Sequence, residues 1–275
     1  MKMTKPCGQN SENPNSIMGK MSNYWRLIPL LEAPAQIQMA IDRWLLEQHC
    51  AGLHSPVLRF YTWSPAAISL GYNQQRWPNF WQQLHWQGVP MDLVRRPTGG
   101  RAVLHQGDLT YTVVMSGLRG KRLEIYKTIC EFLIKGWQRL GIELYYGSAK
   151  RNYIHNPNCF GTATAADLVT SNGIKLIGSA QLIRDGAILQ HGSMPLQQDA
   201  ELFYHVFGTP LQALALPLSA TGNALFQMVA QTLTLAAADC FRVELVEQPF
   251  SESEWQEILK IASINCPCPS PQQYL

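Results

Sequence analysis

Charge is scarce in this chain: Asp, Glu, Lys and Arg together make up 15% of its 275 residues and nearly cancel, at a formal +3. So small an excess excludes the broad basic footprint of a nucleic-acid binder, and it suits an acidic protein partner. No uninterrupted apolar run reaches the length that a membrane span needs. The seven cysteines are odd in number and scattered, unlike a secreted disulfide framework, and no pair has the Cys-x-x-Cys spacing of a zinc site. Cys266-Pro267-Cys268-Pro269 has the chemistry to bind a soft metal or to oxidise, but its proline content is that of a disordered tail over 263–275. Residues 1–22 are polar, rich in Asn and Ser and without the apolar centre of a secretory signal, so they read as a disordered extension. Met21 opens a more regular segment. No internal repeat is visible.

What is abundant is apolar surface, 46% of residues, enough for a sizeable core and against global disorder. One domain over 23–262, acting in the cytoplasm, is the expectation. Pro34 followed by Ile37, Ile41, Trp44, Leu45 and Gln48 predicts a helix behind a proline-compatible start. Val57 to Trp63 and Ala66 to Leu70 read as strands, and Pro78 to Trp86 as a short helix. Leu123, Tyr126, Cys130, Leu133, Ile134, Trp137 and Leu140 recur at three- and four-residue intervals, so Lys121 to Leu140 is an amphipathic helix stopped by Gly141. Ile142 to Tyr146 resumes a strand. Asp167 to Thr170 and Ile174 to Ile177 flank Asn172-Gly173, a strong hairpin signal, and Ala187 to Gln190 follows as a further strand. Ser251-x-x-Glu254, with Phe250 and Trp255 placed as a staple, caps a last helix reaching Ile261. Strands dominate the middle and helices the flanks: an α+β fold with a mixed or antiparallel central sheet flanked by helices.

Two stretches carry the chemistry. The first, Arg95-Arg96-Pro97-Thr98-Gly99-Gly100-Arg101-Ala102-Val103-Leu104-His105, lies between the apolar segments Met91 to Val94 and Leu109 to Val114. A Gly-Gly pair lets backbone approach a ligand that a Cβ holds away, and paired guanidinium donors bind carboxylate or phosphate oxygens. A hairpin turn with solvated arginines fits the same residues. The second runs through Cys159-Phe160, Ala166-Asp167-Leu168-Val169, Asn172-Gly173-Ile174-Lys175-Leu176-Ile177-Gly178-Ser179-Ala180-Gln181 and Gln190-His191-Gly192. Gly178, Ser179 and Ala180 are small, as either an alkyl tunnel or tight sheet packing requires.

Cysteine is usually a small buried hydrophobe, and Cys50 and Cys130 lie on helical patterns. Cys159 instead follows the polar loop His155-Asn156-Pro157-Asn158, where a thiol near a cation becomes a better nucleophile. Lys175 shares a strand face with Ile177, which points to a partly buried role. His105 and His191 are candidate proton carriers or backbone-bonded structural histidines, neither with a carboxylate partner visible in the sequence. His155 is either a base for Cys159 or a surface residue.

Taken together, and in order from about Leu27 to Leu196, these motifs resemble the lipoate–protein ligase and octanoyltransferase family, most closely its cysteine-dependent octanoyl-[acyl carrier protein]:protein N-octanoyltransferases. The resemblance implies a biotin/lipoate protein ligase-like catalytic domain. It implies Cys159 and Lys175 as catalytic residues, with Lys175 polarising the acyl carbonyl and favouring the Cys159 thiolate. Arg95, Arg96, Thr98, Gly99, Gly100, Arg101, His105, Gly178, Ser179, Ala180, His191 and Gly192 would bind substrate. Its implied partners are octanoyl-acyl carrier protein and the lipoyl domains of 2-oxoacid dehydrogenases or glycine-cleavage H protein. No metal or cofactor is expected, because a thioester is already activated. Two departures separate the chain from the ATP-using ligases: Arg101 stands where they commonly carry a third glycine, and only about eighty residues follow Leu196 where they often carry an accessory domain. An ATP-dependent lipoate–protein ligase and a non-catalytic protein that binds acyl carriers or lipoyl domains are the alternatives.

Overall fold

Tyr24–Ala33 forms strand β1, where the pattern announced no strand. Pro29 explains the difference: the register to the neighbouring strand shifts between Ile28 and Leu31, so inward and outward residues do not simply alternate. The computed structural model describes residues 23–147, 167–212 and 216–264. The Cys266–Cys268 pair, the segment 1–22, His155 and Cys159 lie outside them.

Behind Pro34 comes α1 (Ala35–Cys50), then β2 (Val57–Trp63) and β3 (Ala67–Leu70). The predicted helix at Pro78 is only a 3-10 turn, Asn79–Gln83. It is followed by the two-residue strands β4 (His85–Trp86) and β5 (Val89–Pro90). Gln87 and Gly88 have positive φ at their turn, which stops helix there. Next come β6 (Asp92–Arg95), β7 (Val103–His105), β8 (Asp108–Ser116), α2 (Arg122–Arg139) and β9 (Leu144–Tyr146). The hairpin predicted at Asn172-Gly173 is β10 (Leu168–Thr170) and β11 (Lys175–Arg184), and β12 (Ala187–Pro195) pairs back on it. After Leu196 come α3 (Ala200–Phe207), α4 (Gly222–Phe241), β13 (Glu244–Glu247) and α5 (Glu252–Ile264).

Eight of these strands form one mixed sheet in the order β13-β1-β2-β8-β12-β11-β10-β9. β1 runs parallel to β13 and β2, and the later neighbours are antiparallel. Alternation along the strands sends adjacent residues to opposite layers. Leu58 and Val113 pack with Phe132, Leu133, Val229 and Leu233 of α2 and α4. Val57 and Val114 pack with Ile41, Leu45, Phe250 and Ile258 on and around α1 and α5. Helices therefore cover both faces. The residues after Leu196 complete this same core, and β13 extends the sheet. A second, three-stranded sheet, β6-β3-β7, packs on α3, where Trp81 Nε1 donates to Val206 O at 3.0 Å. By length and composition alone α4 is long and apolar enough to cross a membrane, with a mean hydropathy of 1.3 over its window. Its buried face, Leu225, Val229, Leu233 and Ala236, belongs to the core.

Candidate active site

Between the two sheets lies a cavity of about 440 Å³, a size suited to a small ligand or an acyl chain. Both sequence stretches reach its wall. Arg96, Gly99, Gly100 and His105 come from the first; Gly178, Ser179, Ala180, His191 and Gly192 come from the second. Met39, Tyr61, Trp63, Ser69, Tyr126, Asp167 and Gln181 complete much of the lining. Gly192 is there of necessity: a Cβ on it would strike Ser179 Oγ and stand 2.7 Å from Tyr111 Cε1. Gly100 has φ +100°, open to glycine and strained for other residues.

The arginine pair divides its duties. Arg95 is not on the cavity; its Nη1 donates to the carbonyls of Gly71, Tyr72 and Gln74 at 2.7–3.1 Å, and its guanidinium lies over Trp77. Arg96 lines the cavity but is buried, and it holds the loop. Nη1 donates to Ser69 O and Oγ at 2.9 and 3.2 Å, and Nη2 donates to Gly99 O and Arg101 O at 2.8 and 2.7 Å. The solvated-arginine reading fails for Arg96. Both guanidiniums bind backbone carbonyls. Thr98 and Arg101 are likewise not among the lining residues.

Both histidines have carboxylate partners, which the sequence reading did not identify. His105 Nδ1 lies 2.8 Å from Asp108 Oδ2, and its Nε2 lies 2.8 Å from Ser69 Oγ. His191 Nδ1 lies 2.7 Å from Asp42 Oδ2, and its Nε2 lies 2.6 Å from Thr98 Oγ1. A carboxylate on Nδ1 demands the N–H there, so in the neutral ring of His105 Nε2 accepts the hydrogen bond of the Ser69 hydroxyl. Asp108 was legible three residues after His105. Asp42 was not, because it sits on α1 among apolar neighbours and reaches His191 only through the fold. Burial by itself would raise the Asp42 pKa, yet the His191 hydrogen bond and the Arg59 charge hold it below the usual carboxylate value. Thr112 and Tyr61 also donate to it. Burial lowers His105 below the ordinary imidazole value, against the opposing pull of Asp108, so a neutral ring is favoured. Trp63 stacks on that ring, centroids 3.8 Å apart.

Lys175, at the start of β11, is buried and ion-paired with Asp167, Nζ to Oδ1 at 3.0 Å. Asp167 lines the cavity and Lys175 does not. Cys130 is buried on α2 as the helical pattern implied, its thiol pushed up to about 12 chiefly by burial, which excludes a thiolate there. Cys50 is only partly buried. No group of three or more His, Cys, Asp or Glu able to hold a metal occurs among the described residues.

With this geometry in place, comparison with known proteins is direct. Residues 34–215 match the family model of the lipoyl protein ligase A/B catalytic domain. Octanoyltransferase LipM of Bacillus subtilis is 36% identical over 200 residues, covering 68% of this chain and 70% of its own. That of Oceanobacillus iheyensis is 29% identical over 265 residues, 89% of this chain and 95% of its own. Among solved structures, the bipartite lipoate protein ligase of Thermoplasma acidophilum aligns with a TM-score of 0.68 at 22% identity, covering 87% of this chain and 92% of its own. A lipoate-protein ligase A bound with ATP aligns with the same score and identity over 87% of this chain and 94% of its own. The mixed sheet, the cavity between the sheets and the motifs on its walls thus sit on a shared frame, and the chain belongs to the lipoyl protein ligase A/B catalytic-domain family.

Proposed function

We propose that this chain is an octanoyltransferase of lipoate biosynthesis, with one catalytic domain over 23–262 working in the cytoplasm. It takes an octanoyl group from an acyl carrier protein thioester onto Cys159 and passes it to a lysine of a lipoyl domain or glycine-cleavage H protein. The observation that carries the reading is the cavity of about 440 Å³ walled by Gly99, Gly100, Gly178, Ser179 and Ala180. Its small residues leave room for an alkyl chain beside polar groups for the carbonyl. Relatives named octanoyltransferase at 36% identity support the same chemistry. Cys159 Sγ attacks the donor carbonyl, the carrier thiol leaves, and the enzyme thioester is then resolved by the acceptor amine. Lys175, held by Asp167 beside the cavity, supplies positive charge as oxyanion character develops. Arg101, standing where the ATP-using ligases commonly carry a third glycine, disfavours a tightly wrapped nucleotide.

The test is intact-protein mass spectrometry after mixing with octanoyl carrier protein in the absence of ATP. An octanoyl adduct that is lost in Cys159→Ala, with acyl transfer to a lipoyl domain lost in parallel, is expected. Robust modification from free acid plus ATP and magnesium, unaffected by Cys159→Ala, would assign the chain to the ligases instead.

A further inference from the structure

Two buried chains of carboxylate, imidazole and hydroxyl back the cavity, and they end differently. Asp42–His191–Thr98 terminates on a hydroxyl that does not line it. Asp108–His105–Ser69 terminates on one that does, and the imidazoles of both chains line the cavity. The first chain fastens the loop. The second points its proton path at the ligand.

Acyl transfer to a lysine creates a proton problem. The amine is an ammonium near neutral pH, with an ordinary pKa of about 10.4, and even after deprotonation the N–H becomes acidic as the amide forms. We propose that Ser69, His105 and Asp108 form the relay that accepts this proton during aminolysis of the acyl-enzyme, a step that rests on the thioester reading above. The lysine enters as the free amine, its ammonium proton left in water, and its nitrogen bonds to the acyl carbon as the carbon–sulfur bond breaks. The amine proton moves to Ser69 Oγ as the Ser69 proton moves to His105 Nε2, and the imidazolium then returns a proton to the departing thiolate.

The surroundings fit that passage. Ser69 Oγ donates to Nε2 and accepts from Arg96 Nη1 at 3.2 Å, which leaves one lone pair for an incoming proton. Asp108 Oδ2 accepts from His105, Thr110 and Ser193, whereas Oδ1 is buried with no hydrogen-bond partner among the described residues. That carboxylate gains most when the ring becomes cationic. The groups facing His105 are Asp108 from β8, Arg96 from the loop after β6, His191 from β12 and the Trp63 ring from β2. Of the other carboxylate and imidazole groups on the wall, Asp167 is paired with Lys175, and His191 Nε2 already holds Thr98.

The two half-reactions separate the relay from the thioester. Enzyme is loaded with octanoyl carrier protein, then mixed with a lipoyl domain, and both steps are followed by quench and mass spectrometry across the imidazole titration range. Ser69→Ala and His105→Gln are expected to slow the second step by roughly 10²–10⁴-fold, well beyond any effect on loading, and to remove the acidic limb of its pH profile. A loaded Ser69→Ala or His105→Gln protein that transfers at the wild-type rate with the wild-type pH profile overturns the relay alone. So does an equal defect in the loading step, since that reports a distorted cavity. A wild-type enzyme that takes up no acyl group overturns the thioester reading, and the relay with it.

Discussion

Replacing Arg96 with lysine keeps the charge but puts one ammonium where two guanidinium nitrogens now serve four acceptors. Arg96→Lys is expected to cost about 1.5–3 kcal/mol in a denaturant titration and to lower kcat as the Gly99–Gly100 wall loosens. Arg95→Lys touches three carbonyls of a surface loop and should cost less than about 1 kcal/mol. Equal losses would refute that division of duties. Titration gives a second residue-scale test, with two windows. The folded pKa of His105 lies below its unfolded value, so the unfolded chain binds the proton first, and stability falls as pH drops below 6.5. Asp42 is also depressed, so its contribution is complete above the unfolded carboxylate value and is lost only as pH falls below 3.8. Unfolding free energies measured over roughly pH 8 to 3 should therefore decline in two steps, the upper reduced in His105→Gln, where the likewise lowered His54 still titrates, and the lower reduced in Asp42→Asn, where the lowered Glu254 remains. At this scale the glycines and small residues of the wall were legible, because backbone approach leaves a mark in composition. Ser69 and Asp42 were not, since a hydroxyl on an apolar strand and a carboxylate on the buried face of an amphipathic helix declare themselves only through partners 36 and 149 residues away.

Among the elements, the contact between α2 and α4 holds much of one core layer, and its tightest point is Gly136 against Leu233. A Cβ on Gly136 would meet Leu233 Cδ2 at 2.5 Å and Leu233 Cα at 3.3 Å, so the two helices approach as closely as a missing side chain permits. Leu233 is fully buried, and Leu233→Ala should destabilise by about 2–5 kcal/mol in thermal or denaturant unfolding. A loss under about 1 kcal/mol would mean that α4 docks loosely. Periodicity revealed α1, α2 and α5 because each has a wet face and a dry one. It did not reveal α4, which is apolar nearly all round and leaves Leu235 59% exposed. β13 escaped for a related reason: it is a partly covered edge strand, Glu244 to Glu247, with acidic ends and a single parallel neighbour. The staple and capping box at α5 were legible in full, since Ser251 N donates to Glu254 Oε2 at 2.7 Å and Phe250 packs on Trp255.

The whole molecule is closed by a link that local patterns do not contain. Arg26 of β1 is buried and forks onto Glu254 of α5, Nη1 to Oε1 at 2.6 Å and Nη2 to Oε2 at 2.9 Å, with further bonds to Gln248 O and Pro249 O. Glu254→Gln keeps the shape but strands a buried guanidinium, and a loss of about 3–5 kcal/mol is expected in denaturant unfolding. Exchange of both partners for apolar residues of similar volume should recover much of it, and failure to recover would show that the carbonyl contacts dominate. The fold class could be read from the order of elements, but the parallel pairing of β1 with β13 could not, because it joins strands from opposite ends of the described chain. That pairing also sets a clock on synthesis. Arg26 and Glu254 are 228 residues apart, so at roughly 5–20 residues per second the ribosome needs about 10–45 s to deliver the second after the first. Throughout that interval β1 lacks its outer neighbour, and a nascent chain paused before Glu244 would present an unpaired strand edge to whatever meets it first, chaperone or sister polypeptide.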